Sequence, residues 1–379
     1  LKDVLAKMDF RQAVPVSRDV DGGTDNQTPV SSEEIPEYLS DAAKALWGRY
    51  EDYLRPDPDA IAYPDLDDPD VDAAGRLRVR YGDTPSGINP LTTSDARVSD
   101  QIEQYCLQPI ASRHVKQPAF YGPGLAIRVE KSPDYKEWVI WLRDDVLWHP
   151  PQVDLTRYPH LKGRHYVTAH DAKFMVDLIL NPDVNCGALR SYYTECEGIE
   201  VIDDHCFIMR WKKPQYTSIG FTLSMQPIPE FVLAYDENGE RYDEGQMGLA
   251  FNDHWFYRAN HYVGCGPFYL ASYDPSDHVL LRRFDDYYGQ LPPIREIHQQ
   301  IFAEEKLAVQ KLESGEFDLY NLMTKDWEKK VVKETGKTPF TDGSIEERWI
   351  WRPSYSFIAW KNSHPIFSDP EVRRAMTMA

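Results

Sequence analysis

Between Ile294 and Tyr320 the chain reads strand, helix, strand, and this order constrains the fold more than any other stretch. Ile294 to Phe302 has the composition of a strand. Glu304 to Ser314 carries Leu307, Ala308, Lys311 and Leu312 at helical spacing, and Gly315 stops that helix. Phe317-Asp318-Leu319-Tyr320 follows as a short strand. Strands joined in this way suit a parallel, right-handed crossover. The chain is therefore expected to be mixed α/β.

Other segments agree with that class. Arg76 to Tyr81 alternates, with Arg76, Arg78 and Arg80 on one face and Leu77, Val79 and Tyr81 on the other. Glu137 to Arg143 reads as a strand closed by Asp144-Asp145. Hairpins are expected at Ile199–Trp211, turning at Asp203-Asp204, and at Pro267–Arg283, turning around Asp274 to Asp277. Helices are expected over Glu34–Tyr53, Ser94–Ile110 and Thr168–Leu180, the last opened by Thr168-Ala169-His170-Asp171. A further helix begins near Pro370, with Ser368 or Asp369 as N-cap and Glu371 in its first turn. The sequence stops inside it, without a glycine stop, so an N-terminal piece of a longer protein is expected.

Charge and composition narrow the function. The 61 acidic residues outnumber 42 basic ones, giving a net charge of −19 that repels phosphate backbones and argues against nucleic acid as a partner. The ten Trp and 23 Tyr serve either core filling or aromatic-lined clefts. Acids cluster with proline from Pro56 to Asp70, without the regular ligand and glycine spacing of a calcium loop, so a solvated linker is expected. No apolar run reaches membrane-spanning length, and residues 1–30 carry no signal-peptide core. The cysteines at 106, 186, 196, 206 and 265 match no zinc pattern. Cys186 and Cys196 bracket a loop and could pair in an oxidising compartment.

Chemistry-bearing clusters have plain alternatives. His149, His165 and His170 lie near Asp144, Asp145 and Asp171, but their spacing fits no ligand template, and surface or loop roles are the expectation. Cys196 or Cys265 with His205 or His261 would need an orienting group and an oxyanion hole, and no nucleophile motif surrounds either thiol. Glu195 with Glu197, or Asp203 with Asp204, read as solvated turn acids rather than a glycosidase pair. No catalytic residue, metal ligand or cofactor site is assigned.

The order of motifs resembles a known family. Gly264-Cys265-Gly266-Pro267-Phe268-Tyr269-Leu270 leads into Arg283-Phe284-Asp285-Asp286-Tyr287-Tyr288-Gly289. Leu312 to Asp318 and then Phe367-Ser368-Asp369-Pro370-Glu371-Val372-Arg373-Arg374-Ala375-Met376 follow. Gly87-Ile88-Asn89-Pro90-Leu91, Trp138 to Pro150 and Thr168-Ala169-His170-Asp171-Ala172 fit as well. Residues 75–379 thereby resemble the family 5 extracellular solute-binding proteins, the oligopeptide- and dipeptide-binding components of ABC importers. Cys265, Phe284, Tyr288 and Lys361 depart from the usual residues, and Pro151 to Arg164 interrupts the usual loop. Residues 1–72 have no counterpart in that pattern.

The resemblance implies an α/β, bilobal, periplasmic-binding-protein-like fold of type II, in the large peptide-binder class, truncated within its third structural domain. Residues 1–72 would be an N-terminal extension with one helix and an acidic, Pro-rich linker. Residues 73–95 and 211–322 would build lobe I, 96–210 a subdomain Ib-like insertion, and 323–379 an incomplete start of lobe II. The implied protein is no enzyme. It would capture a short peptide between two lobes, as a monomer outside the cytoplasm, and deliver it to ABC permease subunits. A lipid anchor at a removed N-terminus would be compatible. Oligosaccharides or metal chelates are alternative ligands, and a secreted hydrolase is the rival class. Leu91, Thr92, Thr93 and Ser94 are the binding candidates from the first lobe, with Tyr355 and Trp360 from the second.

Overall fold

A computed structural model describes residues 34–378 apart from 61, 65, 70, 73, 83, 86, 94–97, 99–101, 214–215 and 349–357. The described chain divides into two compact units. One holds the residues up to Glu305 together with Phe317–Leu319, and the other holds Lys306–Glu316 and the residues from Tyr320 onward.

The first unit is built on two four-stranded sheets. Strands β1 (Arg76–Tyr81), β8 (Phe268–Asp274), β9 (His278–Arg283) and β10 (Glu296–Ile301) form one, in the order β1-β10-β9-β8. β1 and β10 run parallel, with Arg76 opposite Glu296 and Tyr81 opposite Ile301. The basic face of β1 is satisfied by acids and carbonyls. Arg76 and Arg282 both donate to Glu296, at 2.7 and 2.9 Å, and Arg78 donates to Asp318 at 2.9 Å. Arg80 donates to the carbonyls of Phe302 and Ala303. After β10 comes helix Glu305–Glu313, which Gly315 ends at φ +74 as the sequence implied. The expected strand at Phe317–Tyr320 shrinks to one parallel bridge, Leu319 to Val79.

The second sheet contains β4 (Ala126–Lys131), β5 (Glu137–Leu142), β6 (Cys196–Asp203) and β7 (Cys206–Trp211), in the order β4-β5-β7-β6. Its central strands are apolar on both faces, so both faces need cover. Trp138, Ile140, Phe207 and Met209 point into the main core. Val139, Trp141, Cys206 and Ile208 point the other way, against helix α1 (Asp41–Leu46) and its flanks. Burying each large side chain there stabilises by about 1.5–3 kcal/mol. Helix α2 (Ala169–Leu180) carries the expected capping box between Thr168 and Asp171.

The N-terminal segment departs from its sequence reading. The helix expected over Glu34–Tyr53 is only six residues long. The Ser40 side chain caps it by accepting from Ala43 N–H at 3.1 Å, and Gly48 at φ +79 turns the chain away. Leu39 and Ala43 are buried, while Ile35 and Tyr38 stay exposed. The buried Glu130 carboxylate accepts from the N–H groups of Gly48 and Tyr50 and from Arg128. Residues 55–59 of the acidic stretch are tied down where a solvated linker was expected. Arg55 N–H donates to Tyr121 O at 2.8 Å, Val115 N–H to Asp57, and Lys116 to Asp59 at 2.7 Å.

The helix expected over Ser94–Ile110 lies partly outside the described residues. Its described part ends at Cys106, where Leu107 turns extended before Pro109. Ile110 then leads into the hairpin of β2 (Ala111–Arg113) and β3 (Tyr121–Pro123). Cys186 and Cys196 are free thiols, as are the other three cysteines, and all five are buried. Cys186 instead precedes a short helix and its sulfur faces Ile179 O.

In the second unit Lys330 pairs with Glu313 at 2.7 Å. The expected C-terminal helix is present at Pro370–Met378, with Asp369 accepting from Glu371 N–H at 2.8 Å. None of the described residues from 320 to 378 is buried.

Candidate functional site

The loop after β1 is shaped by one asparagine. Asn89 is buried; its side-chain amide donates to Phe251 O at 3.1 Å and its side-chain oxygen accepts from Leu91 N–H at 3.1 Å. Its own carbonyl accepts from Thr93 N–H at 3.0 Å. Pro90 and Leu91 are thereby presented to a cavity of about 620 Å³ within the first unit. That volume is in the range of small-molecule sites.

Further lining comes from the β2–β3 hairpin and from helix α3 (Tyr216–Leu223), which supply Arg113, Tyr121, Gly220 and Phe221. Arg113 lies over the Tyr121 ring at 5.4 Å and donates through Nε to its hydroxyl at 3.1 Å. A Cβ at Gly220 would stand 3.4 Å from the Arg113 guanidinium, so the bare helix face leaves it room. Tyr193 is buried in the wall, with its hydroxyl donating to Phe221 O at 3.1 Å.

Elsewhere in the first unit the glycine motif closes on a histidine. Neither Gly264 nor Gly266 has a positive φ. Their role is close approach: a Cβ at Gly264 would meet Cys106 O at 1.8 Å, and one at Gly266 would meet Tyr105 O at 2.4 Å. His149 lies in a loop, as expected, but is buried there rather than at the surface. Its Nδ1 accepts from Gly264 N–H at 3.2 Å, which leaves Nε2 to donate to Gly266 O at 2.8 Å. Burial lowers its pKa to about 4, so the ring is neutral at ordinary pH. His165 stacks on Phe231 at 3.8 Å, and exposed His170 lies 3.4 Å from Asp204. Among the described residues no group of three or more His, Cys, Asp or Glu is placed to hold a metal ion. No described helix is long and apolar enough to cross a membrane.

The sequence profile of the bacterial extracellular solute-binding proteins, family 5, matches residues 121–379. The chain belongs to that family. The oligopeptide-binding protein AppA of Bacillus subtilis is 22% identical over 215 residues, which are 56% of this chain and 36% of AppA. The structure of AppA with a nonapeptide superposes with a TM-score of 0.55 at 17% identity, covering 68% of this chain and 45% of AppA. MoaA of A. tumefaciens R10, bound to mannopinic acid, gives a TM-score of 0.52 at 19% identity, over 69% of this chain and 48% of MoaA. The chain thus spans less than half the length of these relatives. The likeness bears out the mixed α/β family 5 fold class.

The expected site residues separate in the structure of this family member. Leu91 lines the cavity, while Thr92 and Thr93 are half-buried beside it and off its wall. Ser94 and Tyr355 lie outside the described residues. Trp360 belongs to the second unit, where its ring packs against Phe367 at 4.9 Å. Sequence reasoning missed Arg113, Tyr121, Tyr193 and Phe221. They come from separate elements and share no local spacing, so only the folded hairpin and helix bring them to one wall.

Proposed function

We propose that the protein is an extracytoplasmic solute-binding component of an ABC importer, with a short peptide as its ligand. Family membership over residues 121–379 supports the class. The observation that carries the reading is the cavity walled by Pro90 and Leu91, on the loop implied to edge the cleft. In this reading residues 73–95 and 211–322 form lobe I, 96–210 its Ib-like insertion, and 323 onward begins lobe II. Residues 1–72 are an N-terminal extension with one helix and an acidic, Pro-rich linker. Two lobes close on the ligand by a hinge, and the loaded protein docks on permease subunits. It acts as a monomer in the periplasm or outside the cell, with a lipid anchor at its N-terminus as one mode of retention. Ligand contacts come from Leu91, Thr92, Thr93 and Ser94 in lobe I and from Tyr355 and Trp360 in lobe II.

No bond needs to break in this function. Burial pushes the Cys196 thiol up to about 11 and the Cys265 thiol up to about 12. A thiol nucleophile needs the opposite shift. Calorimetry of the full-length protein against short peptides, oligosaccharides and metal chelates tests the proposal. Peptide binding at micromolar strength or better, about −8 kcal/mol, is expected. Hydrolysis of peptide or glycoside substrates, or binding of sugars or chelates with no peptide bound, would overturn it.

A further inference from the structure

The cavity beside Leu91 combines an apolar, aromatic wall with a cation that pairs with no carboxylate among the described residues. Tyr121, Tyr193, Phe221 and Met225 give it aromatic and thioether surface. Arg113 stands on the same wall, and its described contacts are the Tyr121 hydroxyl and ring. Among the described residues no carboxylate pairs with it. This matters in a chain of 61 acids against 42 bases, where β1 and its neighbours pair Arg76, Arg78 and Arg282 with acids. A guanidinium whose Nε is held by the Tyr121 hydroxyl keeps its two terminal nitrogens for a carboxylate. Glu103 also lines the cavity.

We propose that this cavity is a subsite for an aromatic monocarboxylate, with the ring among Tyr121, Tyr193 and Phe221 and the carboxylate on Arg113. The assignment rests on the solute-binding reading and gives that site its ligand chemistry. A free aromatic acid and the C-terminal residue of a peptide share this chemistry. Both would enter with the apolar body first and leave the carboxylate at Arg113.

Calorimetry with N-acetyl-L-phenylalanine and its amide tests the assignment. The acid is expected to bind at least tenfold more tightly than the amide. R113Q should remove that preference, and G220L, whose side chain would fill the space beside Arg113, should weaken both. Thermal unfolding of each variant checks that it still folds. Gly-Gly-Phe binding more tightly than N-acetyl-L-phenylalanine would assign a peptide C-terminus, and weaker binding a free acid. Equal affinity of acid and amide, an undiminished preference in R113Q, or no binding of either probe at millimolar concentration would overturn the subsite. If short peptides bind equally with free and amidated ends and R113Q leaves them unchanged, solute capture stands and the subsite falls. If neither probes nor peptides bind, both fall.

Discussion

His149 shows how one buried side chain couples packing to pH. Its two ring nitrogens hold the Gly264 and Gly266 backbone, and burial makes a second proton costly. The folded pKa is about 4 against an ordinary 6.5, so between these values the unfolded chain binds a proton that the folded chain refuses. The resulting stability is complete above pH 6.5 and is lost as pH falls toward 4. It amounts to about 3 kcal/mol over that window. Urea unfolding at about pH 7 and about pH 5 should show a smaller loss of stability in H149Q than in the unaltered chain. An identical loss in both would remove His149 from the account. His254, also buried and lowered to about 4, accounts for part of the remaining dependence. The sequence placed His149 next to His165 and Asp145 as a loop histidine; only the contact with a loop more than 100 residues away reveals its partners.

At the scale of elements, α1 is a structural cover for the second sheet. Val139, Trp141, Cys206 and Ile208 would face water without it. Ala43 is fully buried there, and its carbonyl accepts from Trp141 Nε1 at 3.2 Å. Replacing it by Asp puts an unpaired charge against that face and should cost about 3 kcal/mol or more. The same variant should make Cys206, now buried, react faster with a thiol reagent in the native state. Unchanged reactivity together with unchanged stability would mean that α1 does not protect the sheet. The apolar runs of β5 and β7 were legible in the sequence, as were the hairpins and the capped helix α2. The length of α1 was not: Ile35 stays exposed, and Tyr38 reaches His205 and the Leu142 carbonyl from outside the helix.

For the whole molecule, burial is unevenly shared. Both four-stranded sheets and their cores lie in the first unit, whereas the described residues from 320 to 378 bury no side chain. Local opening is easiest where apolar contacts are few. Hydrogen exchange should therefore protect amides of β5, β7 and β9 by orders of magnitude more than those of Pro370–Met378. Comparable protection in both regions would contradict this distribution of stability. In the full-length protein, peptide binding that slows exchange across the loop from Ile88 to Thr93 would support its place at the ligand. Exchange there that ignores the peptide would count against it.

The sequence by itself determined the mixed α/β class, the positions of most strands, the capping of α2 and the helix at Pro370, because alternation, caps and glycine stops act over a few neighbouring residues. The family order of its motifs was readable for the same reason. The tertiary structure decided what lies beside what. It turned a glycine motif into a close-packed clasp around His149 and anchored the early acidic segment to a hairpin. It also gathered Arg113, Tyr121, Tyr193 and Phe221 around one cavity. Those outcomes depend on contacts between residues far apart in the chain, and no local pattern encodes which distant backbone will leave room for a guanidinium.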